Sequence, residues 1–310
     1  MFIPLKDKIR KVIVDTDIGP DCDDAGALAL LFNLQKQYDF PISGIVHCCS
    51  NPYGAPAADA IATYFGYDIP IATYDKPGFL EDEPYLKYNK FLAENFPLSR
   101  KEYPSSTRLY RELLADALDG EYMIITIGTF NTVSELMDSP GDEISPLTGS
   151  ELFNSKVDCV VSMAGYFPPP HDKGREFNII CDAKAADNFF NKVKVPVYLD
   201  TFDIGYDVST GFEGREDSQS PVSAAYCLYR PDTHNNASFD LAAIHFAVLG
   251  EGEYYTVDHT AGRLETDVEG DGCCGFVKDP MGMFYRIHRN CTAKVLQDTF
   301  NALMIKNEAY

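Results

Sequence analysis

Along most of this chain, short apolar β-type runs alternate with amphipathic helical stretches, and that alternation restricts the fold more than any other feature. Residues 11–14 read as a strand, 25–37 as a helix, 42–47 as a strand and 56–65 as a helix. The series continues with helix 107–118, strand 122–127, helix 132–137, strand 157–163, helix 183–191 and strand 195–199. Strands separated by helices are joined through right-handed crossovers, so the prediction is an α/β protein: a mainly parallel open sheet with helices on both faces. The last sixty or so residues change texture. Residues 253–257, 274–278 and 283–287 read as short antiparallel strands with Gly-rich turns, and 292–305 as a closing helix. No Gly/Ser-rich linker, repeat or compositional break divides the sequence, so residues 1–310 are expected to form one domain.

With 310 residues, 45% of them hydrophobic, the chain can bury a large core. Lys and Arg number 26 against 47 Asp and Glu, a net charge of −21. Phosphate backbones and anionic membrane surfaces are repelled by such a field, which argues against a nucleic-acid partner. The same excess raises the prospect that some carboxylates gather around a cation. Nine cysteines are scattered without a CxxC pair, several inside apolar runs such as that around Cys159. They read as reduced thiols in a cytoplasmic protein. No leader-like start and no apolar run near the ~18 residues needed to span a bilayer is present, so neither export nor membrane insertion is expected.

The most informative segment runs from Val14 through Asp15, Thr16, Asp17, Ile18, Gly19, Pro20, Asp21, Cys22, Asp23 and Asp24 into the first helix. Five carboxylates within ten residues stand between a strand and a helix, where open parallel sheets bind their ligands. Asp23 and Asp24 open the helix, and capping could account for one or two acids but not five. Oxygen-only donors with no adjacent His or Cys favour Ca²⁺ or Mg²⁺ over Zn²⁺. An EF-hand loop starting at Asp15 fails, because its sixth and twelfth places hold Pro20 and Gly26. A second acidic stretch, 267–272, lacks the closing Glu, since Lys278 stands there, and reads as a solvated turn.

This segment resembles the fingerprint of the nucleoside hydrolases, calcium-dependent N-ribohydrolases with an Asp-x-Asp-x-Gly run ending in Asp-Asp at the first strand-to-helix junction. Here the run is Asp15 to Gly19 and the pair is Asp23-Asp24, with Asp21 and Cys22 lengthening the loop. Further pieces recur in order over residues 10–250: Ser50-Asn51-Pro52-Tyr53-Gly54, Thr126-Ile127-Gly128-Thr129-Phe130, Glu176-Phe177-Asn178 and Ser238-Phe239-Asp240. The resemblance implies a Rossmann-like nucleoside hydrolase fold and a Ca²⁺ cage of Asp17, Asp24, the Ile127 carbonyl and Asp240. It also implies sugar contacts from Asp23, Asn51, Glu176 and Asn178. Glu176 and Asn178 are expected to alternate on an extended segment and so point the same way. A homodimer or homotetramer acting on a small nucleoside or ribosyl substrate is implied as well.

The implied reaction is hydrolysis of an N-glycosidic bond through an oxocarbenium-like transition state, with Asp17 deprotonating the water and Asp23 gripping the sugar 2-hydroxyl. Family members that act broadly often carry a His immediately before the last calcium Asp as leaving-group acid. That place is Phe239, a ring that can stack on a base but cannot donate a proton. His234 and His171 are the candidate replacements. Two other classes compete: a catalytically silent metal and ribosyl-ligand binding protein, motivated by Phe239, and a haloacid-dehalogenase-type phosphatase with Asp15 as nucleophile.

Overall fold

The structure, a computed structural model, describes residues 1–82 and 85–306. Its strands are β1 (Lys11–Thr16), β2 (Ile42–His47), β3 (Ile71–Thr73), β4 (Tyr122–Thr126), β5 (Val157–Met163), β6 (Lys173–Gly174), β7 (Val197–Asp200), β8 (Thr210–Gly211), β9 (Asn235–Asn236), β10 (Tyr255–Thr266), β11 (Cys274–Lys278) and β12 (Phe284–Arg289). Its helices are α1 (Asp23–Tyr38), α2 (Gly54–Phe65), α3 (Asn89–Asn95), α4 (Ser106–Ala115), α5 (Asn131–Asp138), α6 (Gly149–Lys156), α7 (Phe177–Ile180), α8 (Ala183–Lys192), α9 (Phe202–Gly205), α10 (Pro221–Tyr229), α11 (Phe239–Leu249) and α12 (Ala293–Leu303). Ten strands form one sheet in the order β3-β2-β1-β4-β5-β7-β12-β10-β11-β6, and β8 pairs with β9 separately.

The expected α/β architecture is what the chain adopts. From β3 to β12 every pairing is parallel, and helices cover both faces. Side chains alternate across each strand, so Val12, Val14, Met123 and Ile125 meet α1, α2, α11 and α12, while Ile13, Ile124 and Leu199 meet α4, α5, α6 and α8. Helix α1 is buried from Asp23 through Leu34, which makes it a core element, not a surface one.

The expected antiparallel strands near the end of the chain form, and one of them also extends the parallel series. Strand β12 is antiparallel to β10 but parallel to β7, so it belongs to both parts of the sheet and the antiparallel extension begins beyond it. A strand placed between a βα series and a hairpin must continue the first along one edge and close the second along the other. Among the described residues, no helix is long and apolar enough to cross a membrane.

The chain leaves β1 for β2 and β3 on one side and returns to place β4, β5 and β7 on the other. The order therefore reverses between β1 and β4, and a crevice opens at their carboxyl ends.

Candidate active site

The loop leaving β1 carries its acids into that crevice. Thr16 closes the strand, and its hydroxyl donates to Asp24 Oδ1 while accepting from the Ile18 amide at 3.2 Å. Helix α1 then starts at Asp23, with Cys22 at the N-cap and no side-chain cap bond. The two acids are thus not spent on capping; they sit at the helix's positive end, which favours anionic groups. Gly128, just after β4, is required here: a Cβ on it would fall 2.4 Å from the Asp17 amide nitrogen. The smallest residue lets the ends of β1 and β4 close on each other, tied by the Ile127 amide donating to the Asp15 carbonyl at 2.7 Å.

Asp240 arrives from more than two hundred residues away. It occupies the first turn of α11, which packs on α1, and its backbone N–H donates to Asp23 Oδ2 at 3.1 Å. The N-termini of α1 and α11 therefore meet over one group of carboxylates. Asp17, Asp21, Asp23 and Asp240 all line a pocket of about 280 Å³, together with Ile127, Met163, Glu176 and Asn178. Aromatic rings (Phe177, Phe202, Tyr229 and Phe239) line it too, and Arg175 is its one basic lining residue.

Asp17, Asp23, Asp24 and Asp240 are each no more than 5% exposed. Burial is the largest cause holding all four carboxyls well above the usual range, and repulsion from the neighbouring acids adds to it. Asp24 Oδ2 is buried with no hydrogen-bond partner among the described residues. An orphaned carboxylate oxygen beside other acids, in an all-oxygen donor set, fits a hard divalent cation. The tightest acidic grouping is Asp21, Asp23 and Asp24, whose ligand atoms lie within 4.8 Å of one another. Of the expected ligands it contains Asp24, which is not itself among the lining residues, whereas Asp17, Ile127 and Asp240 line the pocket.

Glu176 and Asn178 reach the pocket by a different route from the one expected. Glu176 is the N-cap of α7: its Oε1 accepts from the Asn178 amide at 2.8 Å and its Oε2 from the Gly165 amide at 3.2 Å. Asn178 is helical, not extended, and its Nδ2 donates to the Met163 carbonyl at 3.1 Å. A cap and the second residue of its helix face one way because the cap bond folds the first back over the second. Burial pushes the Glu176 carboxyl up to about 7 despite the backbone donors.

Phe239 opens α11 and stacks on Phe202, with ring centroids 5.1 Å apart and an interplanar angle of 26°. Gly205 makes this possible, since a Cβ there would lie 2.6 Å from the Phe239 Cα. Asn51 does not line the pocket. It is buried behind, with Nδ2 3.4 Å from His47 Nε2 and Oδ1 accepting from the Tyr53 amide at 3.0 Å. Neither candidate acid lines the pocket: His171 is exposed, and His234 pairs through Nδ1 with Glu216 at 2.7 Å. Asp15 points to the opposite face of the sheet, fully buried, where Oδ2 accepts from the Tyr110 and Thr132 hydroxyls. Without access to the pocket it cannot serve as a phosphatase nucleophile. Sequence reasoning passed over Met163, Arg175, Phe202 and Tyr229, which carry no motif and meet the site only through the fold.

No family model and no curated protein matches the sequence. Solved structures do match in fold. An inosine-guanosine nucleoside hydrolase superposes with a TM-score of 0.70 at 18% identity, covering 95% of this chain and 97% of that one. A plant nucleoside hydrolase gives 0.67 at 20% identity, with 95% and 97% covered. The type III effector protein XopQ, solved with adenosine diphosphate ribose, gives 0.70 at 13% identity, with 96% and 94% covered. The chain therefore has the nucleoside hydrolase fold, one that both hydrolases and effector proteins use.

Proposed function

We propose that this protein hydrolyses the N-glycosidic bond of a nucleoside or a related N-ribosyl compound. The observation that supports this best is the convergence of Asp17, Asp23 and Asp240 on one pocket that also presents Glu176 and Asn178. Carboxylates crowded around a sugar-sized space stabilise the positive charge that develops on the ring as the bond to nitrogen breaks. Asp17, Asp24, the Ile127 carbonyl and Asp240 would hold Ca²⁺, with Asp21 a further acid beside them. When bound, that ion neutralises the cluster and supplies Lewis acidity and a template for the sugar diol.

Asp17 takes a proton from the attacking water, whose oxygen bonds to the anomeric carbon. The C–N electron pair leaves with the nitrogen, which takes a proton from solvent while Asp17 returns its own, so that water is added across the bond overall. Asp23 holds the 2-hydroxyl, while Glu176 and Asn178 accept from and donate to the remaining sugar oxygens. Phe239 and Phe202 provide a stacking surface for the leaving group. The test is a panel of purine and pyrimidine nucleosides with Ca²⁺, read by reducing-sugar release. Sugar release by the wild type and none by Asp17→Asn is the expected result; no release from any nucleoside would refute the reading.

One observation favours a second reading, a ribosyl-ligand binding protein without turnover: no histidine is among the residues lining the pocket. Saturable nucleoside binding by calorimetry without sugar release would establish it.

A further inference from the structure

Arg175 stands out twice. Among the described residues it is the single basic one lining a pocket whose other charged lining residues, Asp17, Asp21, Asp23, Glu176 and Asp240, are all acids. It is also poorly engaged. Of the ten arginines in the chain, eight have an acceptor at 3.0 Å or closer. Among the described residues Arg175 has one polar contact, Nη1 to Asp271 Oδ2 at 3.4 Å, between two half-exposed side chains. The other oxygen of Asp271 is occupied by the Cys273 amide at 3.0 Å, so the pairing is not bidentate. Arg230, held to Asp232 at 3.4 Å, is equally loose but does not line the pocket.

A planar fork with most of its donors uncommitted, at the mouth of a ligand pocket, is suited to bidentate recognition of phosphate. Arg175 lines the same pocket as Glu176 and Asn178, the residues that face the sugar in the proposed function. The pocket, at about 280 Å³, is at the small end for ligand sites (~300–1,000 Å³), and a phosphate extending past it would meet the half-exposed guanidinium. We propose that the preferred ligands are N-ribosides phosphorylated on the sugar, such as nucleoside 5′-monophosphates, with Arg175 as the phosphate contact. This rests on the N-ribohydrolase reading. In the reaction water adds across the C–N bond, releasing the free base and a ribose phosphate with the ester intact.

The experiment compares kcat/KM for a nucleoside and its 5′-monophosphate, with Ca²⁺ present, in the wild type, Arg175→Met and Arg230→Met. Calorimetry of ribose 5-phosphate against ribose on the same three proteins gives a readout that needs no turnover. The wild type is expected to favour the phosphorylated partner of each pair by about tenfold or more, Arg175→Met to lose that ratio, and Arg230→Met to keep it. A wild-type ratio at or below one in binding overturns the proposal, whatever the turnover. So does a ratio that survives in Arg175→Met, or one that Arg230→Met loses equally, which would be a general charge effect. A binding preference that depends on Arg175, with no hydrolysis of either substrate, upholds the phosphate contact and refutes the hydrolase reading instead.

Discussion

Asp15 and Asp17 are two residues apart and both buried, yet they inhabit opposite kinds of site. Asp15 lies on the α4 and α5 face, where the Tyr110 and Thr132 hydroxyls supply donors and no other acid lines its side chain's hydrogen bonds. Asp17 lies with Asp21, Asp23 and Asp240 along a pocket, among groups that repel it. The first is a structural carboxyl whose Oδ2 the fold satisfies with two hydroxyls, although its Oδ1 is buried without a partner among the described residues. The second belongs to a cluster of mutually repelling acids along a pocket, with Asp24 Oδ2 orphaned among them, and that crowding is what calls for a ligand.

The largest effect that would sharpen this contrast is expected on the pocket side. Asp17→Asn and Asp24→Asn should each lower kcat/KM by about 10²–10⁴-fold. The wild type is expected to gain Tm on Ca²⁺ titration, since an ion bound only by the folded state stabilises it, and Asp24→Asn should diminish that gain. A calcium-independent Tm would break the comparison.

Asp15→Asn should spare turnover and act on stability. The Asp15 carboxyl is pushed up to about 7 by burial, so its contribution is full below the unfolded value near 4 and is lost as pH rises toward 7. Asn keeps a carbonyl oxygen for both hydroxyls without that loss, so chemical denaturation from pH 4 to 8 should show a flatter slope, by up to about 4 kcal/mol. An unchanged slope would mean that Asp15 is not the isolated buried acid described.

Glu176→Gln is intermediate. Charge-assisted bonds to the sugar are worth ~1.5–3 kcal/mol, so kcat/KM should fall about 10–150-fold. With a folded value of about 7, wild-type kcat/KM should rise through neutral pH as Glu176 ionises, and the variant should lose that rise. The smallest effect is expected for Phe239→Leu, which removes a ring pair worth ~0.5–1.5 kcal/mol and should raise KM by no more than about tenfold.

The elements with strong periodicity were readable from the chain alone. Strands β1, β2, β4 and β5 and helices α1, α5 and α8 fall within a few residues of their expected limits. Others left a signal that a pattern search for apolar faces passes over. Thr148 and Glu151 form a capping box that starts α6, and Ser220-Pro221 starts α10. The three-residue β3 is too short to show a period. At the site, the acids of the first loop announced themselves by their number. The aromatic wall did not, because Phe202 and Tyr229 become neighbours of Phe239 and Asp23 only through packing.

Local order was thus written into the chain: alternation made a parallel sheet, and five carboxylates at the end of its first strand and just beyond marked where a ligand belongs. Which of those carboxylates face one another was settled by the tertiary structure. Strand pleating sends Asp15 to one face of the sheet, and the docking of α11 on α1 sets the Asp240 amide against Asp23. The physical reason is that periodicity is a property of neighbours in sequence, whereas burial, repulsion and an unpaired oxygen depend on what the fold brings within a few ångströms.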